Sequence, residues 1–234
     1  SSSACVYNAS KQEKVFVPGL KETDAYPADP EDGYGWEKLF SERMCRHFLE
    51  DYGLDVKVAR YHNIFGPNGT YDGGREKAPA ALCRKVIQAR KNNQDAIDVW
   101  GDGEQTRCFS DIDDCIYCLD KLLFDKNVKS QIVNIGPDEE FITINKLYEK
   151  ISNLMKFNLD PIYVEDRPNE VKHAYCSSEK ARKILNYKTQ VNLEISLEKI
   201  IKFIKKKGPK KFEYNYELEI INEKTPSTWK KKIF

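Results

Sequence analysis

Helical and strand-like segments alternate along most of this 234-residue chain, and this alternation is the feature that most restricts its fold. Apolar residues recur at helical spacing in 34–52, Gly53 supplies a stop, and 54–60 has the pattern of a buried strand. The pattern then predicts helix 79–91, strand 97–100, helix 111–124, strand 131–135, helix 144–155, strand 161–164 and helices 177–185 and 197–207. This alternation predicts an α/β fold.

The composition limits the classes of partner. With 38 Lys and Arg against 37 Asp and Glu, the net charge of +1 provides no general field for nucleic acid or an anionic membrane. Any anionic ligand must therefore be held locally. Seven scattered cysteines, without a secretory signal or a long apolar span, predict a reducing, cytoplasmic location and no metal site. We expect Cys115 and Cys118, which lack a second pair, to be packing residues on a helix face.

Tyr34 and Lys38 lie one helical turn apart, so that their side chains share a helix face. A tyrosine holds its proton at neutral pH, and a neighbouring cation is what allows it to serve as a base. Alone, this pair would be an ordinary surface pair. Here it follows the turn Ser1-Ser2-Ser3-Ala4-Cys5 and precedes the loop Asn63-Ile64-Phe65-Gly66-Pro67, and this ordered combination is far more specific.

Two further stretches are distinctive: Arg-Tyr-His-Asn-Ile-Phe-Gly-Pro at 60–67 and Gly-Gly-Arg-Glu-Lys-Ala-Pro-Ala-Ala at 73–81. With the Ser-rich turn and Tyr34-x-x-x-Lys38, they make the chain resemble the extended short-chain dehydrogenase/reductase family of nucleotide-sugar epimerases and dehydratases. The resemblance extends from Ser1 to about Asn186 and is greatest to the 3,5-epimerases of GDP-hexoses.

The resemblance implies part of an NAD-binding, Rossmann-like doubly wound sheet and a smaller α/β substrate-binding domain. We expect residues 1–68 to belong to the dinucleotide-binding domain and 69–211 mostly to the substrate domain. Within the latter, about 108–135 would return to the Rossmann core, and 212–234 is an unassigned tail. The resemblance also implies a homodimer, formed through Trp36, Leu39, Phe40, Arg43, Phe48 and the helix that begins at Pro79.

The implied chemistry is a transient oxidation. Tyr34, assisted by Lys38 and Ser3, would take the proton of the sugar 4-hydroxyl while C4 passes a hydride to NAD. Tyr34 and Lys38 would also contact the cofactor. The resulting ketone acidifies C3 and C5, where Cys5 and Lys77 match the acid/base pair of the family on opposite ring faces. The expected reaction is GDP-mannose to GDP-L-galactose. From the residues alone, Cys5 would be a small buried filler and Lys77 a solvated loop residue.

The family's substrate contacts map onto residues in several segments. Lys172 stands where the similar epimerases have an arginine, and a lysine keeps the charge but lacks the bidentate fork of a guanidinium. Arg167 is the alternative phosphate contact. The complete implied set is Ser3, Ala4, Cys5, Asn63, Glu76, Lys77, Ala78, Lys85, Gln105, Arg107 and Lys172.

No Gly-x-Gly-x-x-Gly occurs in the chain. We expect this phosphate-binding turn upstream of Ser1, and therefore expect the printed chain alone to hold NAD poorly. Two alternatives stay open. One is another enzyme of the fold: a 4-epimerase would need neither Cys5 nor Lys77, and a dehydratase would carry an Asp-Glu pair where this chain has Ala4-Cys5. The other is a noncatalytic fragment that binds a nucleotide sugar.

Overall fold

The computed structural model describes residues 1–12, 19–30, 32–73, 76–157, 160–165, 172–209, 221–223, 225 and 230. The strands are β1 Ser2–Ser3, β2 Val58–Tyr61, β3 Ile64–Phe65, β4 Ala96–Trp100, β5 Thr106–Arg107, β6 Ser110–Asp111, β7 Ile132–Ile135, β8 Ile142–Thr143, β9 Asp160–Val164 and β10 His173–Ala174. The helices are α1 Gly33–Tyr52, α2 Ala78–Lys91, α3 Ile112–Phe124, α4 Ile144–Met155, α5 Glu179–Leu185 and α6 Leu193–Lys207. Within the described residues, no helix is both long and apolar enough to cross a membrane.

The chain divides into two compact units. The first contains Ser1–Ile64, Thr106–Ile142 and Val171–Leu193, and the second contains Phe65–Gln105, Thr143–Glu170 and Glu194–Phe234. The return of a segment after 105 to the first unit resembles the predicted arrangement, but 171–193 also belongs there, whereas the sequence analysis placed it in the substrate domain. Gly74, Arg75, Arg167 and most of the predicted tail lie outside the described residues.

The first unit is built on a parallel sheet in the order β1-β2-β7. Ser2 is opposite Arg60 in the register of β1 and β2, and Val58 is opposite Ile132 in that of β2 and β7. Ala59, Val133 and Ile135 pack in one core cluster with buried residues of α3 and α5. Parallel strands covered by helices confirm the predicted α/β class.

A buried ion pair joins helix α1 to strand β2 in the first unit. Arg60 donates from Nε to Glu42 Oε1 over 2.9 Å and from Nη2 to Oε2 over 2.6 Å. Both side chains are at most 4% exposed. Ser2 Oγ donates to the same carboxylate over 2.5 Å, which ties the start of β1 into the pair. The Glu42 carboxylate thus connects helix α1 to both strand β1 and strand β2.

The ion pair continues into a polar network. Arg60 Nη1 donates to Tyr7 OH over 3.2 Å, and that hydroxyl donates to Asn134 Oδ1 over 2.5 Å. Asn134 Nδ2 donates to the Leu20 carbonyl oxygen over 2.9 Å. Because these polar groups are buried and mutually hydrogen-bonded, their desolvation is offset and the chain path after β1 is specified.

The second unit contains a parallel pair of strands, β4 and β9, with Ala96 opposite Asp160 and Trp100 opposite Val164. Helix α2 packs on β4 and on α4. Arg90 Nη1 on α2 donates to the Met155 carbonyl oxygen at the end of α4, over 3.2 Å. Local packing within this unit therefore orients α2, whose first four residues are the last four of the distinctive 73–81 stretch.

Most predicted helix bounds are confirmed to within about two residues, but two predicted starts were wrong. Strand β2 begins at Val58 and not at Leu54, because Leu54 and Asp55 are exposed and outside the sheet. Helix α6 begins at Leu193 and not at Leu197, since Leu193 and Ser196 are already buried on its inner face.

The buried pair yields a stability prediction. Glu42→Gln removes the charge that compensates Arg60, so we expect the free energy of unfolding to fall by about 3–5 kcal/mol, as is typical when one partner of a buried pair is lost. Urea titration followed by circular dichroism measures this change. The control is Glu50→Gln on the same helix, where Glu50 pairs with Arg46 at the surface. A similar small effect of both variants would contradict the importance of the buried pair.

Candidate active site

Ser3 and Cys5 lie in a tight turn at the carboxyl end of β1. Ser3 Oγ accepts a hydrogen bond from the Cys5 backbone N–H over 3.2 Å and caps the 3₁₀ turn Ala4–Val6. Val6 and Tyr7 are buried, whereas Cys5 is exposed. Cys5 is therefore not the buried filler that its residue type alone would suggest, and its thiol is accessible at the sheet edge where α/β proteins bind ligands.

Helix α1 begins beside this turn. A Cβ placed on Gly35 would lie 2.1 Å from the Cys5 carbonyl oxygen, so only glycine permits this approach. Asp32 Oδ1 caps the helix by accepting from the Gly35 N–H over 2.7 Å. The structure thereby brings Tyr34, the residue before Gly35, to the turn of Ser3 and Cys5.

Tyr34 and Lys38 lie one helical turn apart on α1. The Lys38 ammonium lies 5.5 Å from the centroid of the Tyr34 ring. Tyr34 is 48% exposed, so its side chain is accessible to a ligand. Both residues lie on the first turns of α1, the helix that packs against the turn at the carboxyl end of β1.

Asn63 follows β2 at the same edge of the sheet as Ser3. Its φ of 47° lies in the left-handed region, which asparagine tolerates better than most residues. The Asn63 carbonyl oxygen accepts from the Ser110 N–H over 3.2 Å, which fixes the loop. Ser3, Cys5 and Asn63 therefore lie at one sheet edge, in the same unit as Tyr34 and Lys38.

Arg107 on β5 and Lys172, the residue before β10, are neighbours because β5 and β10 pair in parallel. Arg107 Nη1 donates to the carbonyl oxygens of Thr106 over 2.8 Å and Lys172 over 3.1 Å. The Thr106 N–H also donates to the Lys172 carbonyl oxygen over 2.9 Å. Two cations on adjoining segments suit a diphosphate, because its charge is spread over many acceptor oxygens.

Glu76, Lys77 and Ala78 lead into helix α2 of the second unit. Lys77 is exposed at the N-cap position, and its carbonyl oxygen accepts from the Ala81 N–H over 3.0 Å. Glu76 Oε1 accepts from Arg84 Nη2 over 3.1 Å. A solvent-accessible amine thus follows directly after a carboxylate that is anchored to the helix.

Lys85 and Gln105, the other predicted contacts of the second unit, also have structural partners. Lys85 Nζ donates to the Asp98 carbonyl oxygen over 2.8 Å. Gln105 is 7% exposed, and its Nε2 donates to the Trp100 carbonyl oxygen over 3.2 Å. Contact with a phosphate by the Gln105 side chain would require a change in this buried position.

Cys115 and Cys118 are buried on α3, which confirms the prediction of packing residues. Burial raises the pKa of Cys115 to about 11. Burial, with the neighbouring Cys115 and Asp114, raises the pKa of Cys118 to about 12. Neutral thiols of this kind are poor nucleophiles and poor metal ligands.

Sequence reasoning missed two residues that shape the site. Gly35 makes the close approach to Cys5, and an isolated glycine inside a predicted helix was the available signal. Arg84 anchors Glu76, and no local pattern distinguishes it from a surface arginine of the same helix.

A protein-family model described as the NAD dependent epimerase/dehydratase family matches residues 1–136, which is more than half of the chain. The chain belongs to this family. The description of the family agrees with the predicted cofactor, NAD.

Curated relatives in the family include the GDP-mannose 3,5-epimerase of Arabidopsis thaliana, 42% identical over 74% of this chain and 44% of the relative. GDP-mannose 3,5-epimerase 1 of Oryza sativa subsp. indica is 47% identical over 64% of this chain and 38% of the relative. The chain therefore spans less than half the length of these two relatives.

Solved structures confirm the Rossmann-like epimerase fold of the family. Pal from Bacillus thuringiensis has a TM-score of 0.74 and 29% identity, over 88% of this chain and 62% of that one. A variant of UDP-glucuronic acid 4-epimerase from Bacillus cereus, solved with UDP-4-deoxy-4-fluoro-glucuronic acid and NAD, has a TM-score of 0.73 and 25% identity. It matches 88% of this chain and 60% of that one.

The approach of α1 to the turn is testable. Gly35→Ala places a methyl group against the Cys5 carbonyl, so we expect it to displace the helix and to lower the free energy of unfolding by about 1–3 kcal/mol. Gly33→Ala is the matched control, because nothing lies within 4 Å of the added Cβ. Chemical denaturation measures both variants. Equal stability of the two would show that α1 does not depend on Gly35.

Proposed function

We propose that the protein is an NAD-dependent nucleotide-sugar 3,5-epimerase that converts GDP-mannose to GDP-L-galactose. The observation that carries the proposal is the accessible Cys5 thiol in the turn beside Tyr34. A 4-epimerase needs only the tyrosine and its lysine, whereas proton exchange at the ring carbons needs an additional acid or base. The identity of 42–47% to GDP-mannose 3,5-epimerases supports this reaction.

Tyr34 is the proposed base for the sugar 4-hydroxyl. The Lys38 ammonium stabilises the phenolate that forms when the phenol proton is lost. The Ser3 hydroxyl donates a hydrogen bond to the 4-oxygen of the sugar and keeps its proton, since the Ser3 oxygen already accepts from the Cys5 N–H. NAD, when bound, supplies the transient oxidation of C4. Tyr34 returns the proton to the 4-oxygen at the end.

Cys5 and Lys77 are the proposed proton carriers at C3 and C5. A ketone at C4 acidifies both neighbouring C–H bonds, so that a thiolate or a neutral amine can remove the proton. Inversion requires the proton to leave one ring face and another to arrive on the opposite face. The two exposed side chains supply one base and one acid, and each reverses its role in the next exchange.

The nucleotide diphosphate is the proposed ligand of the neighbouring cations Arg107 and Lys172, with Asn63 and Lys85 as further donors. Lys172 supplies charge where the similar epimerases have an arginine fork, so its phosphate contact is a single point charge. Ala4 and Ala78 contribute backbone near the sugar. Gln105 remains a candidate only through a shift of its buried amide.

Deuterium incorporation tests the reaction directly. We expect the complete gene product, with GDP-mannose and NAD in heavy water, to introduce deuterium at C3 and C5 and to change the sugar configuration. NMR and mass spectrometry locate the label. Folded protein with bound NAD that introduces none would exclude this substrate and favour a 4-epimerase or a noncatalytic role.

Single substitutions separate the two proton carriers. We expect Cys5→Ala or Lys77→Met to lower the exchange rate at least about 100-fold, because general acid–base catalysis contributes on that scale. Reduction of bound NAD, read at 340 nm, should persist in both variants, since C4 oxidation uses Tyr34. Full epimerase activity of either variant would contradict its assigned role.

A homodimer is the proposed assembly, formed through an apolar stripe on α1. The stripe repeats every four residues and comprises Trp36, Phe40, Met44, Phe48 and Tyr52, between 40% and 78% exposed. Leu39, which the sequence analysis had included, is instead 3% exposed in the core of the first unit. A row of large apolar side chains in water favours a matching row on a second copy.

The stripe is testable by size measurements. Phe40→Glu places a charge at its centre, and we expect the dimer dissociation constant to rise at least about tenfold. Sedimentation equilibrium measures this constant. Phe124→Glu is the control, because Phe124 is equally large and 74% exposed on α3. A monomer in the unsubstituted protein, or dissociation by both variants, would contradict the proposed interface.

A further inference from the structure

We propose that Arg84 is a positioning residue for the substrate hexose: it holds one carboxylate oxygen of Glu76 so that the other remains available to a sugar hydroxyl. The inference rests on the proposed function as a nucleotide-sugar enzyme but not on the identity of the base. It assigns a role to a residue that would not itself touch the substrate.

Arg84 donates hydrogen bonds to residues at both ends of the loop that leads to Lys77. Its Nε donates to the Tyr71 carbonyl oxygen over 2.9 Å and its Nη2 donates to Glu76 Oε1 over 3.1 Å. Its Nη1 reaches Gln88 Oε1 over 3.4 Å on the same helix. Arg84 and Glu76 have side chains only 6% and 5% exposed. The guanidinium therefore joins the beginning and the end of the loop to helix α2.

The beginning of the loop is also held from another side. Tyr71 OH donates to the Gly208 carbonyl oxygen over 3.0 Å, and its ring meets Phe203 edge-on with centroids 5.8 Å apart. Tyr71 is thus fixed to the end of α6. With one end anchored independently, the contact from Arg84 to Glu76 determines where the other end lies.

The second carboxylate oxygen of Glu76, Oε2, has the properties expected of a ligand contact. Glu76 Oε2 is buried and has no hydrogen-bond partner among the residues that the structure describes. A carboxylate oxygen can only accept, and a buried acceptor without a donor is costly. The missing donor suits a hydroxyl group, and Glu76 immediately precedes the proposed proton carrier Lys77. The hexose of the substrate is the part of a nucleotide sugar that supplies such hydroxyls.

The arrangement requires arginine and not merely a positive charge. Three N–H groups of one planar guanidinium reach three acceptors in different directions. A lysine ammonium is a point charge on a flexible stem and would lose this fixed fork. Arg84→Lys therefore keeps the positive charge but no longer fixes the orientation of the Glu76 carboxylate.

The experiment compares ligands with and without the hexose. Binding of GDP-mannose and of GDP to the complete gene product is measured by titration calorimetry, before and after Arg84→Lys. We expect the affinity for GDP-mannose to fall about tenfold, since a charged hydrogen bond to a sugar hydroxyl is worth at least that factor, and the affinity for GDP to stay unchanged. The KM for GDP-mannose should rise more than kcat falls.

Arg90→Lys is the matched control. Arg90 lies on the same helix and donates to a carbonyl oxygen of α4, away from Glu76, so its variant should bind both ligands normally. Glu76→Gln is the second variant and should also lose affinity for the hexose-bearing ligand alone. The double variant Arg84→Lys with Glu76→Gln should lose less than the sum, because one residue acts through the other.

The outcomes separate the two proposals. Equal loss of both ligands, or additive losses in the double variant, would overturn the role of Arg84. If Arg84→Lys does not fold, hexose-selective loss in Glu76→Gln supports the proposal and its absence overturns it. If the unsubstituted protein binds neither guanine ligand, the proposed substrate fails. The same comparison is then made with UDP-glucose and UDP, where a selective loss still supports the role of Arg84.

Discussion

The buried ion pair between Arg60 and Glu42 is the contact on which the first unit depends. Transfer of two charges out of water is unfavourable, and it is offset only when geometry and additional hydrogen bonds are good. Here burial tends to lower the pKa of Arg60, but the hydrogen bonds and charge of Glu42, with Tyr7, hold that pKa above its usual value. The guanidinium stays charged, and strand β2, helix α1 and strand β1 keep the arrangement that places Ser3 and Cys5 beside Tyr34.

The same network shows why Tyr7 does not suit the role of base that we propose for Tyr34. Tyr7 is buried, and this burial raises its pKa well above the usual value, although Arg60 and Asn134 oppose the rise. Its hydroxyl therefore remains a neutral hydrogen-bond donor. Tyr34 is half-exposed, has Lys38 near its ring and lies at the end of the sheet. Proximity to a cation alone does not make a base, because desolvation of the phenolate can outweigh it.

Periodic apolar spacing was enough to predict the helices and the α/β class, because 79–91 and 144–155 each bury an apolar face. In 34–52 the same spacing marked a helix, although most of its periodic apolar residues are exposed. Motif order was enough to propose Ser3, Cys5, Tyr34 and Lys38. Ser3 and Cys5 lie in one turn, and Tyr34 and Lys38 lie one helical turn apart on α1. The contacts from Glu42 to Arg60 and from Glu76 to Arg84 were not predictable. An arginine and a glutamate many residues apart have no local signal, and tertiary packing alone decides which pairs are buried. The same limit explains Gln105, for which the resemblance to the family implied a substrate contact but whose side chain is buried and donates to the Trp100 carbonyl oxygen.

The two units share a physical solution to one problem. A base that exchanges protons with a sugar must be accessible, and accessible side chains on loops have conformational freedom that costs free energy when they are fixed. In the first unit, a buried arginine and glutamate hold the strand before the Cys5 turn. In the second, another buried arginine and glutamate hold the segment before Lys77. Cys5 and Lys77, the proton carriers that we propose, therefore each follow a part of the backbone whose position is set by a buried charged pair. In the proposed reaction, preorganisation of this kind would reduce the cost of orientation while each side chain remains open to solvent.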